Sequence, residues 1–422
     1  MRTCRSGVPP ATQAAVAWAS GNPDLHVRIP NLAGFPKDEV IIPKHSRNVY
    51  DAAVRSIGVR IIEVDTVEGL EAALGPRTAM VYVFAGPRVD AGPLTLEAIA
   101  KVANARKVPV LVDAAAEILT IPSVHLQRGA TLVGYSGGKC LRGPQCAGIL
   151  LGRKDLVKAA WVHSAPHHGY GRAMKLGKEE AIGMLMAVEM WAKRDHKAEW
   201  NRWLGWLDHI AKRVSAVPGV TTSVRQEVRG LSNRSPGLSI NWDGAKLGIT
   251  AREMSDILWN TEPRIALGGG RGGDGGAGIS ITAYMMAEGD AKIVADRVYA
   301  LLSNPPQRKP PEAPAPPSVD VTGRWDARIE FSGAATSHTL HLKQQGGRIE
   351  GTHQGDFVSR DLSGTVEGDA VRLVSSYTER HGDSLQFTFS GKLGGDSLSG
   401  TLDMGEYLTA KWTARRHQYG QA

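Results

Sequence analysis

Two residues in this chain are of the right type and setting to do chemistry together. Asp113 closes an apolar run, Val108–Asp113, and Lys139 follows Ser136-Gly137-Gly138 at the end of a second run, Thr131–Tyr135. Both runs have the length and β-branched content of strands. A carboxylate at one strand end and a lysine just past a neighbouring one is what pyridoxal 5'-phosphate (PLP) chemistry requires. The carboxylate keeps the pyridine nitrogen protonated, which makes the ring an electron sink, and the lysine forms the Schiff base. Ser136 can hydrogen-bond the cofactor phosphate, and the glycines let the backbone approach closely. The same residues also suit a plainer arrangement, with Asp113 as a helix N-cap and Lys139 as a solvated lysine in a glycine-rich loop.

Such a pair needs a sheet to hold it. Val40–Ile42, Val59–Val64, Ala79–Phe84 and Val108–Val112 are short β-branched runs. They alternate with helical stretches at Asn48–Ile57, Val67–Leu74 and Leu94–Ala105. Strand and helix in alternation predict an α/β fold with a largely parallel sheet covered on both faces. In an open sheet of this kind ligands bind at the carboxyl ends of the strands, where Asp113 would lie. Glu179–Val214 is a long helical tract rich in Trp and Met, a stripe expected to be core. Leu238–Asn241, Arg252–Leu258, Gly278–Ala283 and Ala291–Leu302 suggest a smaller α+β domain.

The clearest boundary is the proline-rich stretch 303–318, expected to be a stiff linker because proline removes backbone donors and forbids helix. Beyond it, eight short alternating segments punctuated by Gly-Gly, Gly-Asp and Glu-Gly turns predict an all-β barrel or sandwich. Gly323-Arg324-Trp325 resembles the Gly-x-Trp that opens lipocalin-type barrels. The expected organisation is therefore 1–180, a PLP-binding large domain; 181–302, the long helix and small α+β domain; 303–318, linker; and 319–418, an eight-stranded barrel.

The 422 residues carry a formal charge of +8, with 42% hydrophobic and 22% charged residues. The charge is uneven: 39 basic against 29 acidic residues up to Ser318, and 11 against 13 afterwards. A basic body suits a phosphorylated cofactor or an anionic substrate. No Lys/Arg block marks a nucleic-acid groove, and no run is long and apolar enough to span a bilayer. Cys4, Cys140 and Cys146 form neither a disulfide framework nor a zinc pattern, and a cytoplasmic setting is expected. His167-His168 lacks metal-ligand spacing, so no metal is expected. The glycine-rich run Gly268–Gly278 contains Gly-x-Gly-x-x-Gly but is followed by a strand-like segment, which argues against a dinucleotide site.

Asp113, Ser136-Gly-Gly-Lys139, Leu141-Arg-Gly-Pro-Gln145 and Gly148-Ile-Leu-Leu-Gly152 resemble the core of the bacterial selenocysteine synthase family. D-glucosaminate-6-phosphate ammonia-lyase and other aminotransferase class-V-like proteins belong to the same group. His45-Ser-Arg47-Asn-Val-Tyr50-Asp51, Glu63-Val-Asp65 and Gly171-Arg172-Ala-Met-Lys175 also match, and the likeness runs from about Ser6 to Leu302. It implies a PLP-dependent transferase fold type I, with large and small domains, and a homodimer or higher homo-oligomer with shared active sites. It also implies His45 as a residue stacking on the pyridine ring.

The family has a further N-terminal segment, so this chain is expected to be N-terminally truncated. Ser6-Gly7 stands where a Ser/Thr-Gly pair would offer backbone N–H groups to the phosphate, but Val8-Pro9-Pro10 follows instead of small residues. Arg47 and Arg172 are candidates for binding a substrate carboxylate or phosphate through the planar guanidinium fork. Cys140 beside Lys139 is expected to pack rather than react. The expected activity is that of a PLP-dependent lyase or transferase acting on a small-molecule amino acid or amino sugar, by Cα deprotonation and α,β-elimination, with no nucleic-acid or membrane partner. The alternative is a catalytically impaired scaffold carrying a small-ligand-binding barrel.

Overall fold

The computed structural model describes residues 2–3, 28–226, 230–267, 278–306, 314–378 and 384–418. Ser6, Gly7 and most of the glycine-rich run lie outside them.

The first body is built on a seven-stranded sheet: β1 (Arg2–Thr3), β2 (Glu39–Pro43), β3 (Arg60–Val64), β4 (Thr78–Phe84), β5 (Val110–Asp113), β6 (Leu132–Ser136) and β7 (Gly148–Gly152). Its order is β1-β7-β6-β5-β4-β2-β3, with β2 to β6 mutually parallel and β7 antiparallel to both β6 and β1. Both faces are covered, which is why the strands read as unbroken apolar runs. Ile41, Val81, Val83, Val110, Val112 and Val133 pack on one face with Leu96, Ile99 and Ala103 of α1 (Leu96–Ala105). Val40, Ile42, Met80, Tyr82, Leu111 and Leu132 pack on the other with Leu156 and Ala159 of α2 (Lys154–Val162).

The single helical tract expected over Glu179–Val214 is two helices, α3 (Lys178–Lys193) and α4 (His196–Val214). Asp195 breaks it: its backbone is extended and its side chain accepts from the backbone N–H groups of Lys197 and Ala198, capping α4. The apolar stripe of α3 is also only partly core. Met184, Ala187 and Trp191 are buried, whereas Ile182, Leu185, Met186 and Met190 are all more than half exposed.

A three-stranded antiparallel sheet follows, β8 (Thr221–Arg225), β9 (Gly237–Asn241) and β10 (Gly278–Thr282), in the order β10-β9-β8. It packs with α4, α5 (Ala251–Asn260) and α6 (Asp290–Ser303) around Leu207, Ile240, Met254 and Val298. Thr250 and Glu253 form a reciprocal capping box at the start of α5.

The second body is a closed eight-stranded barrel: β11 (Gly323–Glu330), β12 (Ala335–Gln345), β13 (Arg348–Gln354), β14 (Ser359–Glu367), β15 (Ala370–Thr378), β16 (Ser384–Gly394), β17 (Ser397–Asp403) and β18 (Thr409–Arg416). Each strand pairs antiparallel with the next, and β18 returns to β11, so no edge is left unpaired. Of the two all-β arrangements the sequence allowed, the barrel is the one formed. Trp325 is fully buried, its indole N–H donates to Val321 O at 2.8 Å, and the Arg416 guanidinium lies 4.6 Å from its ring centroid. Trp412 packs against Gly391, and its register partner Gly400 is closely approached by the neighbouring strand. A Cβ at Gly391 would stand 2.9 Å from the Trp412 ring, and one at Gly400 would meet Ser390 O at 1.9 Å.

Candidate active site

The parallel strands β2, β4, β5 and β6 end at Pro43, Phe84, Asp113 and Ser136, so all four lead to one edge of the sheet. In register Asp113 stands beside Phe84 on β4 and Gly134 on β6. Its carboxylate is buried, accepts from Tyr82 Oη at 2.9 Å, and accepts from the Ala115 backbone N–H at 3.1 Å. Burial pushes the Asp113 carboxyl above its ordinary range, while the Tyr82 and Ala115 hydrogen bonds and the positive charge of Lys139 pull it back. A buried carboxylate with this balance is a site for a cation. Tyr82, itself pushed well above the phenol range by burial and by Asp113, is a site residue the sequence reading passed over.

Lys139 is exposed, one residue beyond a tightly held turn. Gly137 N–H donates to Ala147 O at 2.8 Å, and its carbonyl accepts from Gly143 N–H at 2.7 Å. Neither glycine has room for a side chain. A Cβ on Gly137 would stand 2.5 Å from Met184 Sδ and 2.8 Å from Ala147 O, and one on Gly138 would stand 2.7 Å from Gln145 Cα. Gly137→Ala is therefore expected to cost about 1–3 kcal/mol through overpacking. Gly134→Ala is the control, because none of the described residues lies within 4 Å of a Cβ there. Thermal denaturation of the two variants checks this, and equal melting temperatures would remove the steric argument.

Lys139 lines a cleft of about 1180 Å³ with Gly138, Arg142, Trp191, Trp200, Trp203 and Arg234 among its walls. Trp191 Nε1 donates to Leu119 O at 2.7 Å, and Arg142 is paired with Glu199 at 2.9 Å. One side of the cleft, Ile118–Ile121, is tied to the segment 231–235 on the other. Glu117 and Ser232 form a β-bridge, and Asn233 N–H donates to Ala116 O at 2.8 Å. Beneath this bridge the buried Glu117 carboxylate meets His125 Nε2 at 2.5 Å. The pair was not legible in sequence, since neither residue stands in a motif.

Of the other expected site residues, Ser136, His45 and Arg47 lie at the ends of the parallel strands or just past them. Ser136 is half-buried at the end of β6. His45 is half-buried just past β2, at the same edge as Asp113, with its ring nitrogens 3.3 Å from Leu94 O and 3.1 Å from Ser46 Oγ. Burial pushes the His45 pKa down, which favours the neutral ring. Arg47 is enclosed by acids: it donates to Asp51 at 2.5 Å and to Glu63, and Asp51 also takes Arg55. Its Nε and Nη1 are thereby engaged within the fold. Arg172 is half-buried in a short turn before α3. Cys140 Sγ lies 3.4 Å from Ala116 O, and burial pushes its thiol up, as a packing role requires.

The parallel sheet with its antiparallel β7, the small α+β unit and the lysine loop define a PLP-type fold I protein followed by a β-barrel. Residues 44–175 match the model of the family described as aminotransferase class-V. It is 29% identical over 257 residues to a D-glucosaminate-6-phosphate ammonia lyase of Salmonella typhimurium, across 59% of this chain and 66% of that one. It is 31% identical over 270 residues to a 5'-C-glycyluridine monooxygenase-decarboxylase of a Streptomyces species, across 60% of this chain and 65% of that one. The chain thus spans just under two thirds of the length of either relative. The solved structure of D-glucosaminate-6-phosphate ammonia-lyase superposes with a TM-score of 0.61 at 25% identity, covering 71% of this chain and 80% of the other. An L-seryl-tRNA(Sec) selenium transferase of Proteus mirabilis is 45% identical over a short stretch of 58 residues, 14% of this chain and 11% of that one.

Proposed function

We propose that the protein is a PLP-dependent lyase or transferase acting on an amino acid or amino sugar. The observation that carries this reading is the buried Asp113 carboxylate, which has no ion-pair partner at the sheet edge among the described residues and feels the charge of Lys139. The residues fit the cofactor: a buried anion for the ring nitrogen, a lysine on a cleft wall, and a close-packed glycine turn that fixes the backbone just before that lysine. Asp113 would hold the proton on the ring nitrogen, with Tyr82 fixing its orientation. Lys139 would anchor the cofactor, with Ser136 and His45 as further contacts and Ser6-Gly7 as candidates at the phosphate. When bound, PLP supplies an electron sink for charge developing at a substrate Cα. Lys139 Nζ would take the Cα proton as general base.

An amino acid or amino sugar bearing a phosphate is the favoured substrate, because the ammonia-lyase relative is named for one and the body of this chain is basic. Arg172 is the arginine retained as a candidate for its anionic group. The experiment is to reconstitute the full chain with PLP, add D-glucosaminate 6-phosphate, and follow the visible absorbance together with ammonia release. A protein that stays colourless after reconstitution would end the enzyme reading. The half-exposed stripe Ile182, Leu185, Met186 and Met190 supports a homo-oligomer, and light scattering showing a monomer would refute it. Boundaries near residues 180 and 302, with a separate barrel from 319, complete the proposal.

A further inference from the structure

The barrel β11–β18 is lined unevenly. Its strands run up and down, so the connections 331–334, 355–358 and 404–408 share one end. Towards the other end the inward positions are apolar, with Trp325, Leu342, Ile349, Val366 and Val371 all buried. Near the shared loop end the lining changes in kind. His338, His353, Arg360 and Ser375 are buried at positions in phase with the inward Leu340, Ile349, Leu362 and Leu373 of the same strands. His353 stands opposite Arg360 in register.

The two histidines are satisfied by one another and by a hydroxyl: His338 Nδ1 lies 2.7 Å from His353 Nε2, and His353 Nδ1 lies 2.7 Å from Ser375 Oγ. Arg360 is not satisfied. It is 9% exposed, and its Nε and Nη1 have no hydrogen-bond partner among the described residues. Its guanidinium sits 4.6 Å from the Phe387 ring centroid, and Gly355 leaves open the space beside it, where a Cβ would come within 3.0 Å of Nη1. The nearby carboxylate, Asp356, is engaged elsewhere, by Thr336 Oγ1 at 2.6 Å and His338 Nε2 at 3.7 Å. A permanently charged fork with two idle donors is costly to bury without an anion, and its geometry matches a carboxylate.

On the loops at this end Phe357 is 96% exposed and Leu408 76% exposed, which gives the mouth an apolar rim. We infer that the loop end of the barrel binds a small aromatic carboxylate. The carboxylate takes the Nε and Nη1 donors of Arg360, and the ring lies among Phe387, His338 and the rim residues. The inference does not depend on the PLP reading.

Benzoate is the probe, titrated calorimetrically into the full chain, with inorganic phosphate in parallel. Saturable benzoate binding is expected. It should weaken at least tenfold in Arg360→Met and severalfold in Phe387→Leu, with the PLP absorbance unchanged in both. In wild-type protein labelled with ¹⁵N-arginine, benzoate should move one Nε–H resonance that phosphate moves less. That measurement stands even if Arg360→Met fails to fold. The inference is overturned if benzoate does not bind, binds Arg360→Met as well as wild type, or binds no more tightly than phosphate.

Discussion

Lys139→Ala should reduce turnover by at least about 10⁴-fold, because it removes both the cofactor anchor and the proposed general base, and a positioned base alone contributes about 10²–10⁴. The fold should barely notice. Lys139 is exposed at the surface of the cleft, and exposed substitutions usually stay within about 0.5 kcal/mol. Loss of activity with an unchanged melting temperature is thus the expected signature. Borohydride reduction of the wild-type protein reconstituted with PLP should leave the label on the peptide containing Lys139, and the variant should carry none. Label recovered on Lys175 or Lys178 would overturn the assignment, because both lie in the turn and helix start after Arg172 rather than on the Ser136-Gly-Gly loop.

The strands carrying this site were legible because both faces of the sheet are buried, which turns β2, β4, β5 and β6 into apolar runs, with β5 and β6 ending in the polar Asp113 and Ser136. Tyr82 was hidden by the same fact: within Thr78–Phe84 it looks like one more core residue, and only the register of β4 on β5 brings its hydroxyl to Asp113. Strand β8, Thr221–Arg225, was missed because three of its five residues are exposed and polar, leaving no apolar run to read. The division of the long helical tract could have been found from Asp195, a capping residue type inside a helical pattern. In the barrel, alternation marked out the strands, but His338, His353 and Arg360 occupy inward positions where alternation leads one to expect apolar residues. Their pairing depends on contacts between strands that no local pattern encodes.

Asp113→Asn should lower the rate of Cα-proton exchange by about 10²–10³-fold, the usual cost of losing a preorganised electrostatic partner. The variant keeps its size and can still accept from the Ala115 N–H, so the fold is preserved. Stability gives a second and independent readout. The folded-state carboxyl titrates above its unfolded value because burial outweighs its partners. As pH rises from the ordinary aspartate range through the folded value, the unfolded chain sheds its proton first, and the folded state loses stability that it does not regain at neutral pH. Without cofactor, Asp113→Asn should therefore melt higher than wild type at neutral pH, and the gap should close in acid. PLP supplies the missing cation to wild type alone, so its addition should raise the wild-type melting temperature more than that of the variant. If Asp113 served only to cap the turn at Ala115, asparagine would do as well, and PLP would stabilise both proteins equally.

The hydrogen bonds linking His338, His353 and Ser375 have a direction, and Asp356 sets it. A neutral imidazole carries one proton, so each ring must donate from one nitrogen and accept at the other. Asp356 is an acceptor, receiving Thr336 Oγ1–H at 2.6 Å, and it faces His338 Nε2 at 3.7 Å. That favours the His338 tautomer protonated at Nε2, leaving Nδ1 to accept from His353 Nε2–H at 2.7 Å. His353 Nδ1 must then accept the Ser375 hydroxyl proton. Burial holds the His353 pKa down to about 3, so a second proton does not scramble the order at neutral pH. One carboxylate at the barrel mouth thus orients every proton along this wall, and neutralising it by Asp356→Asn would leave the chain free to run the other way.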